Sequence, residues 1–101
     1  MTYKLDFYDQ ALKEWKNLDG SVRQQFKQKL AERLEAPHVP SAKLRDSKNR
    51  YNIKLRGVGY RLVYEVNDLI VTVLAVAVGK RDKSEVYVKA AQRLISEIVN
   101  K

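Results

Sequence analysis

The chain has 101 residues, 45% hydrophobic and 32% charged, with four Gly and two Pro, a size and balance that suit one folded domain and argue against disorder. It has no cysteine, which excludes a disulfide framework and a thiolate metal site, and its formal net charge of +8 favours polyanionic partners. The excess is concentrated, because residues 43–61 hold seven basic groups and one acidic, against seven and six in residues 1–42 and six and five in residues 62–101. The longest apolar run, Leu69 to Val78, is broken by Thr72 and falls far short of the roughly 20 residues a bilayer requires. The first hydrophobic stretch carries Lys4 and Asp6 and has no apolar signal core, so a soluble, cytoplasmic protein with no membrane partner is expected.

In chain order, Tyr3, Leu5 and Phe7 alternate with Lys4 and Asp6 as in a half-buried strand. Ala11, Leu12, Trp15 and Leu18 then fall at helical spacing, with Asp9 placed to cap the first turn. Asp19-Gly20 breaks this helix, and Ser21 with Gln24 has the form of a capping box opening a second one. Its apolar stripe is Val22, Phe26, Leu30 and Leu34, and it stops before Pro37. Residues 37–49 read as a loop, and His38, the only histidine, is taken as a loop residue without a catalytic partner near it in sequence. Tyr51 to Leu55 and Tyr60 to Val66 alternate again around a Gly57-Val58-Gly59 turn, and Asn67-Asp68 marks a turn before a strand from Leu69 to Val78. That last strand is apolar on both faces, which places it inside the sheet between its predecessor and the N-terminal strand. Ser84 can cap a final helix with Val86, Ala90, Leu94 and Ile98 on one stripe. The order β-α-α-β-β-β-α indicates an α+β fold, an antiparallel sheet with helices on one face and the other face free.

If Ile53, Leu55, Leu62 and Tyr64 face the helices, Lys54, Arg56 and Arg61 project together from the uncovered face and make a positive floor. The turn brings Arg56 close to Arg61, and facing like charges destabilise a sheet, which suits a site whose ligand is an anion; exposed charge that merely keeps the protein soluble is the ordinary alternative. One isolated histidine and no cysteine make a zinc site, a cysteine nucleophile or a paired-histidine ribonuclease mechanism improbable. A nuclease built on this chain has to work with lysine, arginine and tyrosine.

Those residue types recur in VGKRDKSEVY (Val78–Tyr87). This run, with YNIKLRGVGYRLVYEV (Tyr51–Val66) and the opening LDFYDQALKEWKNL, resembles the RelE toxins over essentially the whole chain. The resemblance implies a RelE-like fold and an endoribonuclease, the toxin half of a toxin–antitoxin pair, which cuts messenger RNA in the ribosomal A site. It further implies attack by the RNA 2′-hydroxyl, a 2′,3′-cyclic phosphate product and no metal or other cofactor. By motif position, Tyr87 is the general base, Arg81 the general acid, and Lys54 and Arg61 stabilise the phosphorane. Arg45 and Arg56 are expected to hold messenger or ribosomal RNA, with Lys48, Arg50, Asn52, Lys80 and Lys83 as further RNA contacts. Surrounding cations should help Tyr87 ionise, since tyrosine ordinarily titrates near pH ~10.

One position departs from the family pattern: Asn52 stands where well-known members carry a second lysine, and Lys48 or Arg50 is expected to compensate for the missing charge. The implied partners are a RelB-like antitoxin, the ribosome and messenger RNA, with operator DNA reached only through an antitoxin complex. Three readings compete. One is a ParE-like toxin that poisons gyrase, another is a non-catalytic basic module that binds RNA or a ribosomal surface, and the third is a plain interaction protein, which leaves the charge concentration in residues 43–61 unexplained.

Overall fold

A computed structural model describes residues 2–45, 47–80 and 90–91. Its elements run β1 (Lys4–Phe7), α1 (Asp9–Lys16), α2 (Gly20–Glu35), a short 3-10 turn (Pro40–Ala42), β2 (Arg50–Leu55), β3 (Tyr60–Asn67) and β4 (Thr72–Lys80). This is the expected order through the last strand; the helix expected after Ser84 lies almost wholly outside the described residues. The strands form one sheet in the order β1-β4-β3-β2. β2, β3 and β4 are an antiparallel meander, whereas β1 joins β4 in parallel, so the sheet is mixed rather than purely antiparallel. The long excursion from β1 to β4 makes that pairing possible, since parallel neighbours need a crossover rather than a hairpin. β4 is an interior strand, as its two apolar faces indicated.

Both helices pack on one face of the sheet. Val22, Phe26 and Leu30 of α2 are buried with Ile53, Leu55, Leu62, Tyr64, Val73 and Ala75 in the main core. Trp15 links the layers, with its ring 5.4 Å from Phe7 and 6.2 Å from Phe26 between centroids. The caps differ from expectation. Asp9 is the first helical residue of α1 and Tyr8 precedes it as a cap without a side-chain bond. Asp19, not Ser21, caps α2, because its Oδ2 accepts from both the Ser21 amide (3.2 Å) and the Ser21 hydroxyl (2.6 Å).

The opposite face is not free along its whole length. Val63, Val76 and Ala77 are fully buried there with Ala90, and Tyr8 and Leu44 pack against them. The β3–β4 connection is also longer than expected. Leu69 and Ile70, read as strand, sit in the turn, with Leu69 95% exposed. The Asn67 side-chain oxygen accepts from the amides of Leu69 (3.1 Å) and Ile70 (3.4 Å), and Val71 takes a left-handed φ of 51°. These local bonds hold a turn where hydropathy alone suggests a continuing strand.

Candidate active site

β2 and β3 are joined by Arg56–Gly59, with Leu55 opposite Tyr60 as the last register pair. The Gly59 amide closes the turn by donating to the Leu55 carbonyl at 2.8 Å, at a φ of 72° that favours glycine. Counting back from this turn fixes the cross-strand partners, and Lys54 falls directly opposite Arg61. Arg61 is in turn opposite Gly79 of β4, so a row of two cations ends on a residue with no side chain. Paired residues share a sheet face, so the two positive side chains project together. Lys54 and Arg56 are exposed and Arg61 is half-buried. Lys54, Leu55, Arg56, Tyr60 and Arg61 line a cleft of about 160 Å³ at this end of the hairpin. Arg56 therefore shares a cleft with Arg61 as expected, but the residue facing Arg61 across the ladder is Lys54. Lys80 is exposed at the end of β4, opposite Tyr60. An arrangement of this kind can bind a phosphate and stabilise added negative charge on it.

The other end of the same two strands is built differently. Arg50 is buried, 6% exposed, and stands opposite Glu65. Its Nε donates to Glu65 Oε2 at 3.2 Å and its Nη1 donates to the Ala90 carbonyl at 2.7 Å. Its Nη2 also lies 3.2 Å from that carboxylate oxygen, an ion-pair contact without hydrogen-bond geometry. The expectation that Arg50 contacts RNA is therefore corrected: its guanidinium is consumed inside the fold. Nor can it replace the charge missing at Asn52, since it stands four residues from Lys54, roughly 13 Å at the rise of a strand. Lys48 lies further still along the chain, and it and Arg45 are exposed in the loop that enters β2. Asn52 is half-buried opposite Val63, and its backbone carbonyl accepts from Arg33 Nη1 at 3.0 Å. Arg81, Lys83 and Tyr87 lie outside the described residues.

His38 is a loop residue, but it has partners that are remote in sequence. Its Nδ1 lies 2.9 Å from the Tyr51 hydroxyl and its Nε2 2.9 Å from Asp68 Oδ1, which also accepts from the Tyr3 hydroxyl at 2.7 Å. The Tyr3 bond, then the His38 bond, holds the Asp68 carboxyl below the ordinary carboxylate range, and the same bond to Asp68 raises the Tyr3 phenol. Beneath them Tyr64 stacks on Tyr51 and donates to the Pro37 carbonyl at 2.8 Å; burial pushes its phenol up, opposed by the hydrogen bond from Arg33. This cluster ties the loop to the sheet and is separate from the cationic cleft. Arg33, Glu65 and Tyr60 are the contributors that local sequence patterns did not single out, since each acts through a register pair or a contact distant in sequence.

The family described as the ParE toxin of type II toxin–antitoxin systems, parDE, matches residues 5–83. The mRNA interferase toxin RelE of Escherichia coli strain K12 is 52% identical over 95 residues, spanning 94% of this chain and all of that protein. The chain belongs to the RelE toxins of the RelE/ParE superfamily. A solved structure of a doubly substituted E. coli RelE in the free state superposes with a TM-score of 0.86 at 51% identity, covering 93% of this chain and 99% of that one. The RelE of the intact E. coli RelBE toxin–antitoxin complex gives 0.77 at 51% identity, covering 80% and 99%. Identity of 52% to an mRNA interferase RelE over nearly the whole chain favours the RelE over the gyrase-directed reading of the shared fold.

Proposed function

We propose that this chain is a messenger-RNA-cleaving toxin that works in the cytoplasm on messenger held in the ribosomal A site. The observation that carries the reading is the like-charge pair Lys54–Arg61 at the open end of the hairpin, in a cleft shared with Arg56. Two cations set opposite one another cost stability unless an anion lies between them, and a backbone phosphate gaining charge in the transition state is such an anion. In the proposed reaction the substrate's 2′-oxygen bonds to the adjacent phosphorus while the bond from phosphorus to the 5′-oxygen breaks. Tyr87 takes the 2′-hydroxyl proton, Arg81 gives a proton to the departing 5′-oxygen, and Lys54 and Arg61 stabilise the phosphorane. The products are a 2′,3′-cyclic phosphate and a 5′-hydroxyl end. Arg45, Lys48, Arg56, Lys80 and Lys83 steer messenger or ribosomal RNA, and Asn52 offers phosphate an amide donor without charge.

A RelB-like antitoxin, of the kind that E. coli RelE binds in the RelBE complex, holds the toxin silent in growing cells. Inducible expression followed by mapping of messenger 5′ ends tests target and reaction together. In-frame cuts at ribosome-occupied codons are expected. Replacing the 2′-hydroxyl at the cut site by hydrogen should abolish cleavage while leaving phosphate contacts in place. Cutting of that deoxy-substituted messenger at an undiminished rate would overturn the chemistry, and growth unaffected by strong expression without antitoxin would overturn the assignment.

A further inference from the structure

Resting on that reading, we infer that Tyr60 is a stacking platform for one base of the single-stranded RNA whose phosphate lies between Lys54 and Arg61. Three of the described tyrosines have their hydroxyls held by named partners. Tyr3 donates to Asp68, Tyr51 meets His38 and Tyr64 donates to Pro37. Tyr60 is half-buried, yet among the described residues its hydroxyl has no hydrogen-bond partner. Buried or interfacial tyrosines usually find one, so the value of an aromatic here lies in its ring. One side of Tyr60 packs against the main core, and the residue also lines the cleft beside Leu55, Lys54, Arg56 and Arg61. A half-buried side chain that already packs against the core is ordered before RNA arrives, so little side-chain entropy is lost on stacking.

The composition of the cleft fits this occupant. Sites for single-stranded nucleic acid combine cations that follow the backbone with an aromatic face that takes a base, and every base offers a π-face. Lys54, Arg56 and Arg61 supply the first element and Tyr60 the second, within one cleft.

A coupling experiment between protein and RNA tests the inference. Cleavage on programmed ribosomes is measured for the unsubstituted protein and for Tyr60→Leu, which retains an apolar contact with the core. The messenger is either intact or carries an abasic site at one position flanking the cut. At one position, base removal should raise KM roughly 5- to 100-fold for the unsubstituted protein and leave kcat far less changed. With Tyr60→Leu, KM for intact messenger should already be raised by a comparable factor, and base removal should add nothing. Tyr60→Phe should behave as the unsubstituted protein does. Equal costs of base removal in all three proteins at every position overturn the inference. A second measurement needs no variant: the unsubstituted protein is photocrosslinked to oligoribonucleotides carrying 5-iodouridine near a deoxy-blocked cut site. A crosslink mapped to Tyr60 supports the platform, and crosslinks confined to other residues exclude it. Failure of the unsubstituted protein to cut any messenger sinks the functional reading, and the crosslink then decides the stacking inference by itself.

Discussion

Arg50 and Lys54 stand on the same strand and the same face, four residues apart, and each faces a charged residue on β3. Arg50 faces Glu65, is buried, and spends its donors on that carboxylate and on the Ala90 carbonyl. Lys54 faces Arg61, is exposed, and opens into a cleft. One ladder thus carries an opposite-charge pair towards one end and a like-charge pair towards the other. Sheets are stabilised by the first kind of pair and destabilised by the second, and the proposed function rests on the second. Position in the ladder, rather than residue type, separates the buried, ion-paired arginine from the exposed lysine.

If that separation holds, the two ends of the ladder should respond oppositely to substitution. The largest effect belongs to Arg61→Ala, which should lower the cleavage rate on programmed ribosomes roughly 10²- to 10³-fold, the usual loss for a donor that stabilises transition-state charge. Its melting midpoint should fall little, because relief of the repulsion with Lys54 offsets lost packing; normal cutting by this variant would remove Arg61 from the chemistry. Arg50→Ala should instead cost about 3 kcal/mol of stability by leaving the partly buried Glu65 without its partner, read by denaturant titration. A loss under about 0.5 kcal/mol would show that Arg50 is an ordinary surface charge.

A smaller effect is expected at the far turn. Asp68 is held below the ordinary carboxylate range, first by Tyr3 and then by His38, so its contribution to stability is present above about pH 4 and is lost as pH falls through its folded value. Tyr3→Phe should raise the Asp68 titration measured by carbon NMR and flatten the acid limb of the stability profile. An unchanged titration would mean that the Tyr3 bond does not form in solution. Smallest is Val71→Asn. A β-branched residue at a φ of 51° is strained, asparagine tolerates that region, and a gain of about 0.5 kcal/mol is expected after the lost apolar contact is counted. A lower melting midpoint would show that the half-buried Val71 side chain matters more than the backbone strain.

Much of the hairpin was legible in the sequence. Alternation from Tyr51 to Val66 defined two strands, and the glycine-bearing turn between them brought Lys54, Arg56 and Arg61 to one end. What alternation could not supply was register. It treats Arg50, Lys54 and Arg56 as equivalent polar positions, and only the pairing of Leu55 with Tyr60 assigns Glu65 to one and Arg61 to another. The start of β4 was misread because Leu69-Ile70 are as apolar as a strand, while the bonds from Asn67 that hold them in a turn leave no hydropathy signal. The burial of Val63 and Val76 opposite the helices was hidden for a related reason. A strand apolar on both faces is visible in sequence, but what covers the second face is not. Arg33 reached Asn52 and Tyr64 across the chain, where no local pattern applies. The roles of Arg81 and Tyr87 rest on motif position alone.

The most direct measurement is a paired one on Lys54→Glu, reading unfolding free energy and single-turnover cleavage on programmed ribosomes from the same preparation. The substitution converts the like-charge pair into an opposite-charge pair of the Arg50–Glu65 kind. Stability should rise by about 0.2–1 kcal/mol while cleavage falls at least roughly 10²-fold. A variant that loses stability, or one that still cuts at the normal rate, would contradict the assignment of Lys54 and Arg61 as the phosphate-binding pair.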